Sequence, residues 1–193
     1  MAKKALILCS SPHKNGNTNT VAQWVSEGIK AAGGQAESID ITSLRYKTSG
    51  CIACMGCKQS DKFVCVVNDE AQPILKRIPK ADILIFATPL YFFGPTAQMK
   101  IFSDRMYSLF KFDKKKGAII HHLYHMKFAV ISTAGSNEFG ALTKLFDVLA
   151  GFIGVKVETL LIPFVNHPEM LKKSAVMKEK AIMFGRRLVR GRK

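Results

Sequence analysis

Short apolar runs alternate with longer amphipathic segments along the chain, and this alternation limits the fold more than any other feature of the sequence. The apolar runs predict strands at residues 5–9, 35–41, 82–87, 128–132 and 155–164. The segments between and after them predict helices at residues 18–32, 69–78, 96–110, 138–153 and 169–189. Strands that are apolar on both faces suit a parallel sheet covered by helices on both sides. We therefore predict an α/β fold, a doubly wound three-layer sandwich.

The length of 193 residues suits a single domain with a sizeable buried core. We find no repeat or linker, so residues 1–193 are predicted to form one domain, with a cysteine-rich insertion at about residues 42–68. No apolar run approaches the roughly 20 residues that span a bilayer, and the N-terminus does not resemble a signal peptide. These features predict a cytoplasmic protein without membrane contact.

The formal net charge of +15 is the unusual bulk property. A basic surface can attract nucleic acid, anionic membranes, phosphorylated cofactors or an acidic redox partner. The basic residues are scattered, with concentrations only at residues 111–116 and 186–193, and they do not alternate with aromatic residues. We interpret them as a solvated surface and a basic tail, and we do not expect nucleic acid as a ligand.

The loop after the first predicted strand is rich in groups that bind phosphate. Its candidate ligands are Ser11, His13, Asn17, Thr18 and Asn19. Hydroxyls, amides, a basic side chain and the free N–H groups at a helix start together suit a phosphate monoester. The alternative is that Asn17 or Thr18 only caps the helix. The position after the first strand favours phosphate, because doubly wound sheets bind ligands at the carboxyl ends of their strands.

Two further loops, after the third and fourth predicted strands, suit a flat aromatic ligand. The candidate residues are Pro89, Leu90, Tyr91, Phe92, Phe93 and Gly94 in the first, and Thr133, Ala134 and Gly135 in the second. A flat aromatic ring with polar edge atoms needs apolar contacts and backbone N–H groups, and a small glycine-containing turn lets the backbone approach its edge. Alternatively, Phe92 and Phe93 pack into the core or into a dimer interface.

Four of the five cysteines lie within fifteen residues, in the spacing Cys51-x2-Cys54-x2-Cys57-x7-Cys65. In a cytoplasmic chain, clustered thiols indicate metal or redox chemistry rather than disulfides. The first three follow the ferredoxin spacing and favour a 4Fe–4S cluster. Tetrahedral zinc and free thiols remain as alternatives. Cys9, at the end of a strand, is predicted to be a core residue.

Several of these segments resemble one family. Residues 10–19 resemble the Ser-Pro-Arg-x-x-x-Asn-Thr phosphate loop of the NAD(P)H-dependent FMN reductases, with His13 in place of arginine and Ser10 in place of a common glycine. Residues 88–96 match that family's Ser/Thr-Pro-x-Tyr-aromatic-Gly segment. Lys100, Asp104 and Arg105 match its next helix, and we expect structural roles for Asp104 and Arg105. The cysteine spacing resembles that of the iron–sulfur flavoproteins.

The resemblance implies a flavodoxin-like sheet of order 2-1-3-4-5 that binds FMN noncovalently. In the iron–sulfur form, a ferredoxin-like donor passes electrons through a 4Fe–4S cluster to FMN. In the alternative form, NAD(P)H reduces FMN, which then reduces a quinone, a nitro compound or free flavin. Relatives of this kind form homodimers or homotetramers.

No side chain stands out as a general acid or base, so we name no catalytic residue, and His121, His122 and His125 are interpreted as solvated loop residues. A zinc-stabilised binding module without enzymatic activity is the alternative from another class of protein.

Overall fold

The computed structural model describes residues 2–59, 61–113 and 115–190. The strands in chain order are β1 (Lys4–Cys9), β2 (Gln35–Asp40), β3 (Ile83–Ala87), β4 (Lys111–Asp113), β5 (Ala118–Ile120), β6 (Lys127–Thr133) and β7 (Val157–Ile162). The helices are α1 (Asn17–Ala31), α2 (Ala71–Arg77), α3 (Ala97–Asp104), α4 (Gly140–Ile153) and α5 (Ala175–Arg190).

The main sheet is five-stranded and parallel, in the order β2-β1-β3-β6-β7. Numbered within this sheet alone, the order is 2-1-3-4-5, so the predicted flavodoxin-like topology is confirmed. Successive residues of β1 face opposite helical layers. Leu6 and Leu8 pack in the cluster that includes residues of α2, α3 and α4, whereas Ile7 packs in the cluster with α1 and α5. Both faces are thus buried, as the continuous apolar runs predicted.

The two helices on one face, α1 and α5, approach each other through glycines. A Cβ atom added to Gly28 of α1 would lie 2.1 Å from the carbonyl oxygen of Ile182 in α5. A Cβ atom added to Gly185 of α5 would lie 2.2 Å from the carbonyl oxygen of Val25 in α1. Backbone therefore meets backbone at this crossing, and only glycine fits at either position.

Three segments differ from the sequence prediction. Residues 111–126, where the sequence predicts neither a helix nor a strand, contain the antiparallel hairpin β4–β5. The helix predicted at 96–110 divides into α3 and a 3₁₀ turn, Arg105–Leu109, and the closing helix begins at Ala175 after a 3₁₀ turn at Met170–Lys173. Parts of the two predicted basic stretches, Lys114 and residues 191–193, lie outside the described residues.

No helix in the described part of the chain has the length and apolar character that crossing a membrane requires.

Candidate functional site

The loops that follow β1, β3, β6 and β7 meet at the carboxyl edge of the sheet and enclose a cleft of about 270 Å³. Its lining is Ser11, His13, Gly16, Asn17, Thr18, Pro89, Leu90, Tyr91, Thr133, Ala134, Gly135, Val165, Asn166, His167 and Pro168. Most of the residues predicted for phosphate and flavin contact are therefore brought together in one place. Of the predicted set, Asn19, Phe92, Phe93 and Gly94 are absent from the lining.

A larger depression of about 360 Å³ lies elsewhere, at the amino ends of β1 and β2. It is lined by residues such as Lys4, Gln35 and Arg77 and contains none of the predicted site residues. Ligands of doubly wound sheets bind at the carboxyl ends of the strands, so the smaller cleft is the candidate site.

The start of α1 forms one end of the cleft. The residue before the helix is Gly16, in extended conformation, and no side chain caps the helix. The prediction that Asn17 or Thr18 is the cap is therefore wrong, since both lie inside the first turn. The N–H of Gly16 donates to the carbonyl oxygen of His13 at 2.9 Å, and a Cβ atom on Gly16 would lie 2.9 Å from the Cβ of His13. This tight turn leaves the first helical N–H groups for an anion.

The polar side chains of α1 tie the loops of the site together. The Asn17 amide donates to the carbonyl oxygen of His167 at 2.8 Å and accepts from the N–H of Leu171 at 2.9 Å. The Thr18 hydroxyl pairs with the Thr133 hydroxyl at 2.7 Å, which joins the first turn of α1 to the end of β6, where the next loop begins. Each side chain fixes the position of a second loop of the cleft.

Asn19 lies outside the cleft and closes the first loop instead. Its amide donates to the carbonyl oxygens of His13 and Lys14, at 3.2 and 3.1 Å. The hydroxyl of Ser11, which does line the cleft, lies 3.4 Å from the same carbonyl of His13. Asn19 therefore stabilises the loop from outside the cleft, whereas Ser11 and His13 line the cleft.

The segment after β3 divides into a cleft wall and a projecting turn. The N–H of Leu90 donates to the carbonyl oxygen of Thr133 at 3.0 Å, which places Pro89, Leu90 and Tyr91 against the loop after β6. Tyr91 and Gly94 then exchange two backbone hydrogen bonds around Phe92 and Phe93.

Phe92 and Phe93 occupy the middle of this turn with φ of +45° and +65°, a region that bulky residues rarely adopt. They are 98% and 57% exposed. The interpretation that they pack into this chain's own core is wrong, and they project beside the cleft rather than into it.

The fourth wall of the cleft, Val165 to Pro168, was not predicted from the sequence. The carbonyl oxygen of Ala134 accepts from the N–H of Val165 at 2.8 Å, so this wall is joined to the predicted loop after β6. A Cβ atom on Gly135 would lie 2.7 Å from the side-chain oxygen of Asn166, so the glycine permits this close approach. The available signal was the position of these residues after β7, at the same edge of the sheet.

The four clustered cysteines line a second, small cavity of about 20 Å³. They are Cys51, Cys54, Cys57 and Cys65. The loop that carries the first three has left-handed backbone at Gly50, Ala53 and Met55, with φ of +108°, +52° and +56°. Within residues 2–59, 61–113 and 115–190, no three His, Cys, Asp or Glu side chains are close enough together to hold a metal ion. The thiols thus share a cavity but are not assembled as a ligand set.

Cations surround this cysteine cavity. The Lys58 ammonium donates to the carbonyl oxygens of Tyr107 and Phe110, at 2.8 and 2.5 Å, and that of Lys111 donates to the carbonyl oxygen of Cys57. Burial raises the pKa of the Cys57 thiol, and the two lysines oppose this increase. The two lysines lower the pKa of Cys57 less than burial raises it, so the neutral thiol of Cys57 is favoured.

Arg105 forms the inner wall of the cysteine cavity. Its guanidinium donates to the Asp69 carboxylate at 2.6 Å and to the Cys65 sulfur at 3.6 Å. The side chains of both members of the ion pair are 1% exposed. Burial works against ionisation of Asp69, but the hydrogen bonds from Arg105 and from the N–H of Lys47 hold its pKa below the usual value.

The histidines between β5 and β6 are not all solvated. His121 is 4% exposed, its Nδ1 accepts from the N–H of Leu123 at 3.1 Å, and its ring lies 3.9 Å from that of Tyr124. Burial, together with the neighbouring His122, lowers the pKa of His121. The prediction of a solvated residue is therefore wrong for His121, which is a neutral structural residue of this loop.

Comparison with known proteins identifies the family. The model of the NADPH-dependent FMN reductase family matches residues 3–165. An iron–sulfur flavoprotein of Methanocaldococcus jannaschii is 32% identical over 102 residues, which cover 53% of this chain and 51% of that protein. A putative NAD(P)H-dependent FMN-containing oxidoreductase of Bacillus subtilis is 49% identical over 39 residues, which cover 20% of this chain and 22% of that protein.

Among solved structures, an NAD(P)H:quinone oxidoreductase from Methanothermobacter marburgensis superposes with a TM-score of 0.72 at 20% identity and covers 99% of both chains. This likeness shows the fold. The match to the iron–sulfur flavoprotein spans only about half of that relative's length. Since the family model covers most of the chain, the protein belongs to the NADPH-dependent FMN reductase family, as the loop motifs indicated.

Proposed function

We propose that the protein binds FMN in the cleft at the carboxyl edge of the sheet and acts as a flavin-dependent oxidoreductase. The observation that carries this proposal is the convergence of an uncapped helix start and the Pro89–Tyr91 wall on one cleft. The N–H groups at the start of α1, with Ser11 and His13, bind the phosphate. The ring lies against Leu90 and Tyr91, with the loop after β6 at its edge.

FMN supplies hydride or single-electron transfer when it is bound. The side chains of this chain bind and orient it. The Thr18–Thr133 hydroxyl pair and the Asn17 contacts fix the relative positions of three loops, so the phosphate end and the ring end of the cleft keep a constant separation. No described side chain of the cleft is assigned as a proton donor or acceptor.

We further propose a 4Fe–4S cluster at Cys51, Cys54, Cys57 and Cys65, which relays electrons between a ferredoxin-like donor and FMN. Two observations support it: the four cysteines line one cavity, and two other residues of that lining, Arg105 and Ser108, each have a buried polar atom, Nε and Oγ, without a partner in the described part of the chain. The name of the M. jannaschii relative is consistent with a cluster. At about 20 Å³ the cavity is smaller than such a group, so the thiols must move apart to hold one.

A reductase without a cluster, which uses NAD(P)H to reduce FMN and then a quinone or nitro compound, is the second candidate. The short segment shared with the B. subtilis oxidoreductase favours it. In either form we propose a homo-oligomer, because α4 leaves Leu145, Val148 and Phe152 exposed along its length.

Flavin titration of the apoprotein tests the FMN site. Thr18→Ala removes the hydroxyl pair with Thr133, and a hydrogen bond contributes about 1 kcal/mol, so we expect FMN to bind about fivefold more weakly. Thr143→Ala is the matched control, because this threonine lies on α4 and bonds only locally, to the carbonyl oxygen of Gly140. Failure of the unaltered protein to bind FMN would overturn the proposal.

Anaerobic purification followed by an absorption spectrum and by iron, zinc and sulfide analysis tests the cluster. Iron and sulfide in equal amounts, lost in Cys54→Ser while FMN remains, are expected. Flavin without iron would leave the NAD(P)H-dependent form. A colourless protein that contains zinc would instead favour the non-enzymatic binding module.

A further inference from the structure

We infer that a buried hydroxyl network, formed by Ser10, Thr88 and Thr96, is a positioning device that holds the Pro89–Tyr91 wall of the cleft in place before FMN binds. The inference deepens the proposed FMN site and rests on it. It gives a role to Ser10, which stands where the family commonly has glycine, and to two threonines that lie outside the lining of the cleft.

Two members of the network, Ser10 and Thr88, lie at the ends of neighbouring strands. They directly follow β1 and β3, which are paired in register. Each comes two positions after a core residue, Leu8 or Phe86, that packs in the cluster containing α3 residues. Since side chains alternate along a strand, both hydroxyls face the layer of α3. Both residues are 0% exposed, so each hydroxyl needs a partner inside the protein.

Thr96, the N-terminal cap of α3, joins these two hydroxyls. Its N–H donates to the Thr88 hydroxyl at 3.0 Å. Its own hydroxyl donates to Ser10, whose hydroxyl oxygen lies at 2.9 Å and whose carbonyl oxygen lies at 3.1 Å. The same oxygen of Thr96 accepts from the N–H of Met99 at 3.2 Å, and the Ser10 hydroxyl lies 3.3 Å from the carbonyl oxygen of Ala87. Every hydroxyl of the network is therefore partnered.

The network closes the base of the segment that forms the wall. Thr88 and Thr96 flank this segment, so the hydrogen bond between them sets the distance across its base. Tyr91 and Gly94 close its far end through their two backbone hydrogen bonds. Ser10 joins the base to the end of β1, where the loop proposed for the phosphate begins. The wall and that loop are thus held at a constant separation without a ligand.

Backbone strain at the top of the segment indicates that such a constraint is needed. Phe92 and Phe93 have left-handed backbone, which persists only where the surrounding structure enforces it. A turn of this kind would relax if its base were free. Ordering a loop during binding reduces affinity, so a wall that is ordered beforehand favours binding. The hydroxyl network supplies that order.

Ser132 offers a matched control for the network. It follows Ile131 of β6, whose carbonyl oxygen accepts from the N–H of Thr88 at 3.0 Å. It also comes two positions after Val130 of the same core cluster, and it is 0% exposed. Its hydroxyl has no partner in the described part of the chain. Ser132→Ala therefore removes an equally buried neighbouring hydroxyl without breaking a hydrogen bond to the segment.

The first test is amide hydrogen exchange of the flavin-free protein, resolved by NMR. Thr88→Val removes the acceptor of the Thr96 N–H, and Thr88→Ser restores it. Exchange is followed at Tyr91 and Gly94, which donate to other acceptors, so faster exchange there reports opening of the segment. We expect exchange about tenfold faster in Thr88→Val, because a buried N–H is left unpaired, and rates within about twofold of the unaltered protein in Thr88→Ser and Ser132→Ala.

The second test asks whether this order serves FMN binding. Thr88→Val should bind FMN about fivefold more weakly in a fluorescence titration, because the wall must then be ordered during binding. At saturating FMN, its circular dichroism in the flavin bands should be smaller, whereas a variant that only lowers global stability would leave that signal unchanged. Ser10→Ala should change exchange and affinity only about twofold to threefold, since the Thr96 hydroxyl still reaches the carbonyl oxygen of Ser10.

Unchanged exchange at Tyr91 and Gly94 in Thr88→Val would overturn the inference. Faster exchange with unchanged FMN affinity would overturn it as well, because the network would then order the segment without serving the cofactor. Should Thr88→Val fail to fold, Ser10→Ala decides by the same two measurements. An unaltered protein that binds no FMN refutes the proposed function instead, and the positioning role with it.

Discussion

Replacing Gly28 with alanine tests whether the close approach of α1 and α5 is required by the fold. The added Cβ would lie 2.1 Å from the carbonyl oxygen of Ile182, and 2.8 and 2.9 Å from its carbonyl carbon and Cα. All three obstacles are backbone atoms, so no side-chain rotation relieves the clash. The two helices must separate by about 1 Å to restore an ordinary contact.

The expected magnitude follows from two opposing effects. Alanine is favoured over glycine inside a helix by about 1 kcal/mol. Forcing packed elements apart costs about 1–3 kcal/mol, and sometimes more. The clashing atoms of Ile182 belong to the rigid backbone, so we take the upper part of that range for the cost of separating the helices. After subtracting the gain from alanine, we expect the free energy of unfolding to fall by about 2 kcal/mol. For a chain of this size that lowers the melting temperature by about 4–8 °C.

The assay is urea and thermal unfolding of the flavin-free protein. Gly151→Ala is the control, because Gly151 also lies inside a helix but has no atom within 4 Å of the added Cβ, so it should be neutral or stabilised by up to about 1 kcal/mol. Gly185→Ala should behave like Gly28→Ala. The double variant, with alanine at both Gly28 and Gly185, should lose less unfolding free energy than the two single variants together, because one displacement of the helices relieves both clashes. Equal free energies of unfolding for Gly28→Ala and Gly151→Ala would refute the claim that the fold requires the close approach of α1 and α5.

Three further predictions concern the loops. His13→Arg should bind FMN severalfold more tightly in a fluorescence titration, because a guanidinium makes two parallel hydrogen bonds to phosphate; a weaker complex would contradict the placement of the phosphate. Burial lowers the folded-state pKa of His121, so the unfolded state protonates first and stability should fall as pH drops below about 6.5. His121→Asn keeps a side-chain acceptor and should make the free energy of unfolding less dependent on pH between about 5 and 7. His122→Gln should retain most of the pH dependence, because it removes only the smaller of the two causes. Replacing Phe92 and Phe93 with Asn and Gly should stabilise the protein by about 1 kcal/mol or more in urea unfolding, since these residues suit left-handed turns; lower stability would refute the claim of strain.

The sheet could be predicted because its strands are buried on both faces. Residues such as Leu6 and Ile7 pack into opposite layers, and a run that is apolar at consecutive positions has few alternatives to a central parallel strand. The crossover rule then limits the order of the strands. Because the strands are buried on both faces, each can be recognised in the sequence as a run of consecutive apolar residues.

The hairpin β4–β5 left no such pattern. Its strands have three residues each, and Phe112, in β4, is half exposed. Contacts distant in sequence hold it, including the bond from Lys111 to the carbonyl oxygen of Cys57. Tertiary contacts of this kind override local propensity. The basic, glycine-containing sequence of this segment by itself predicts a loop.

At the candidate site, the sequence indicated loops that line the cleft but not the direction of each side chain. Ser11 and Asn19 are both polar and belong to the same segment, yet only Ser11 lines the cleft. Loop side chains have no period from which a facing residue could be inferred, unlike those of helices and strands. The segment Val165–Pro168 has no recognisable sequence motif, because it contributes mainly to the shape of the cleft and to backbone contacts.

Backbone strain gives an independent argument for where function lies. The non-glycine residues with left-handed backbone in the described part of the chain are Ala53, Met55, Phe92, Phe93, Phe164 and Glu169. Each lies in, or directly beside, a segment that borders the cleft or the cysteine cavity, whereas none borders the larger depression at the amino ends of β1 and β2. Such conformations cost about 1–3 kcal/mol each and persist where the surrounding structure enforces them. Surface shape and backbone dihedral angles are separate properties of the chain, so their agreement favours these two sites over the larger depression.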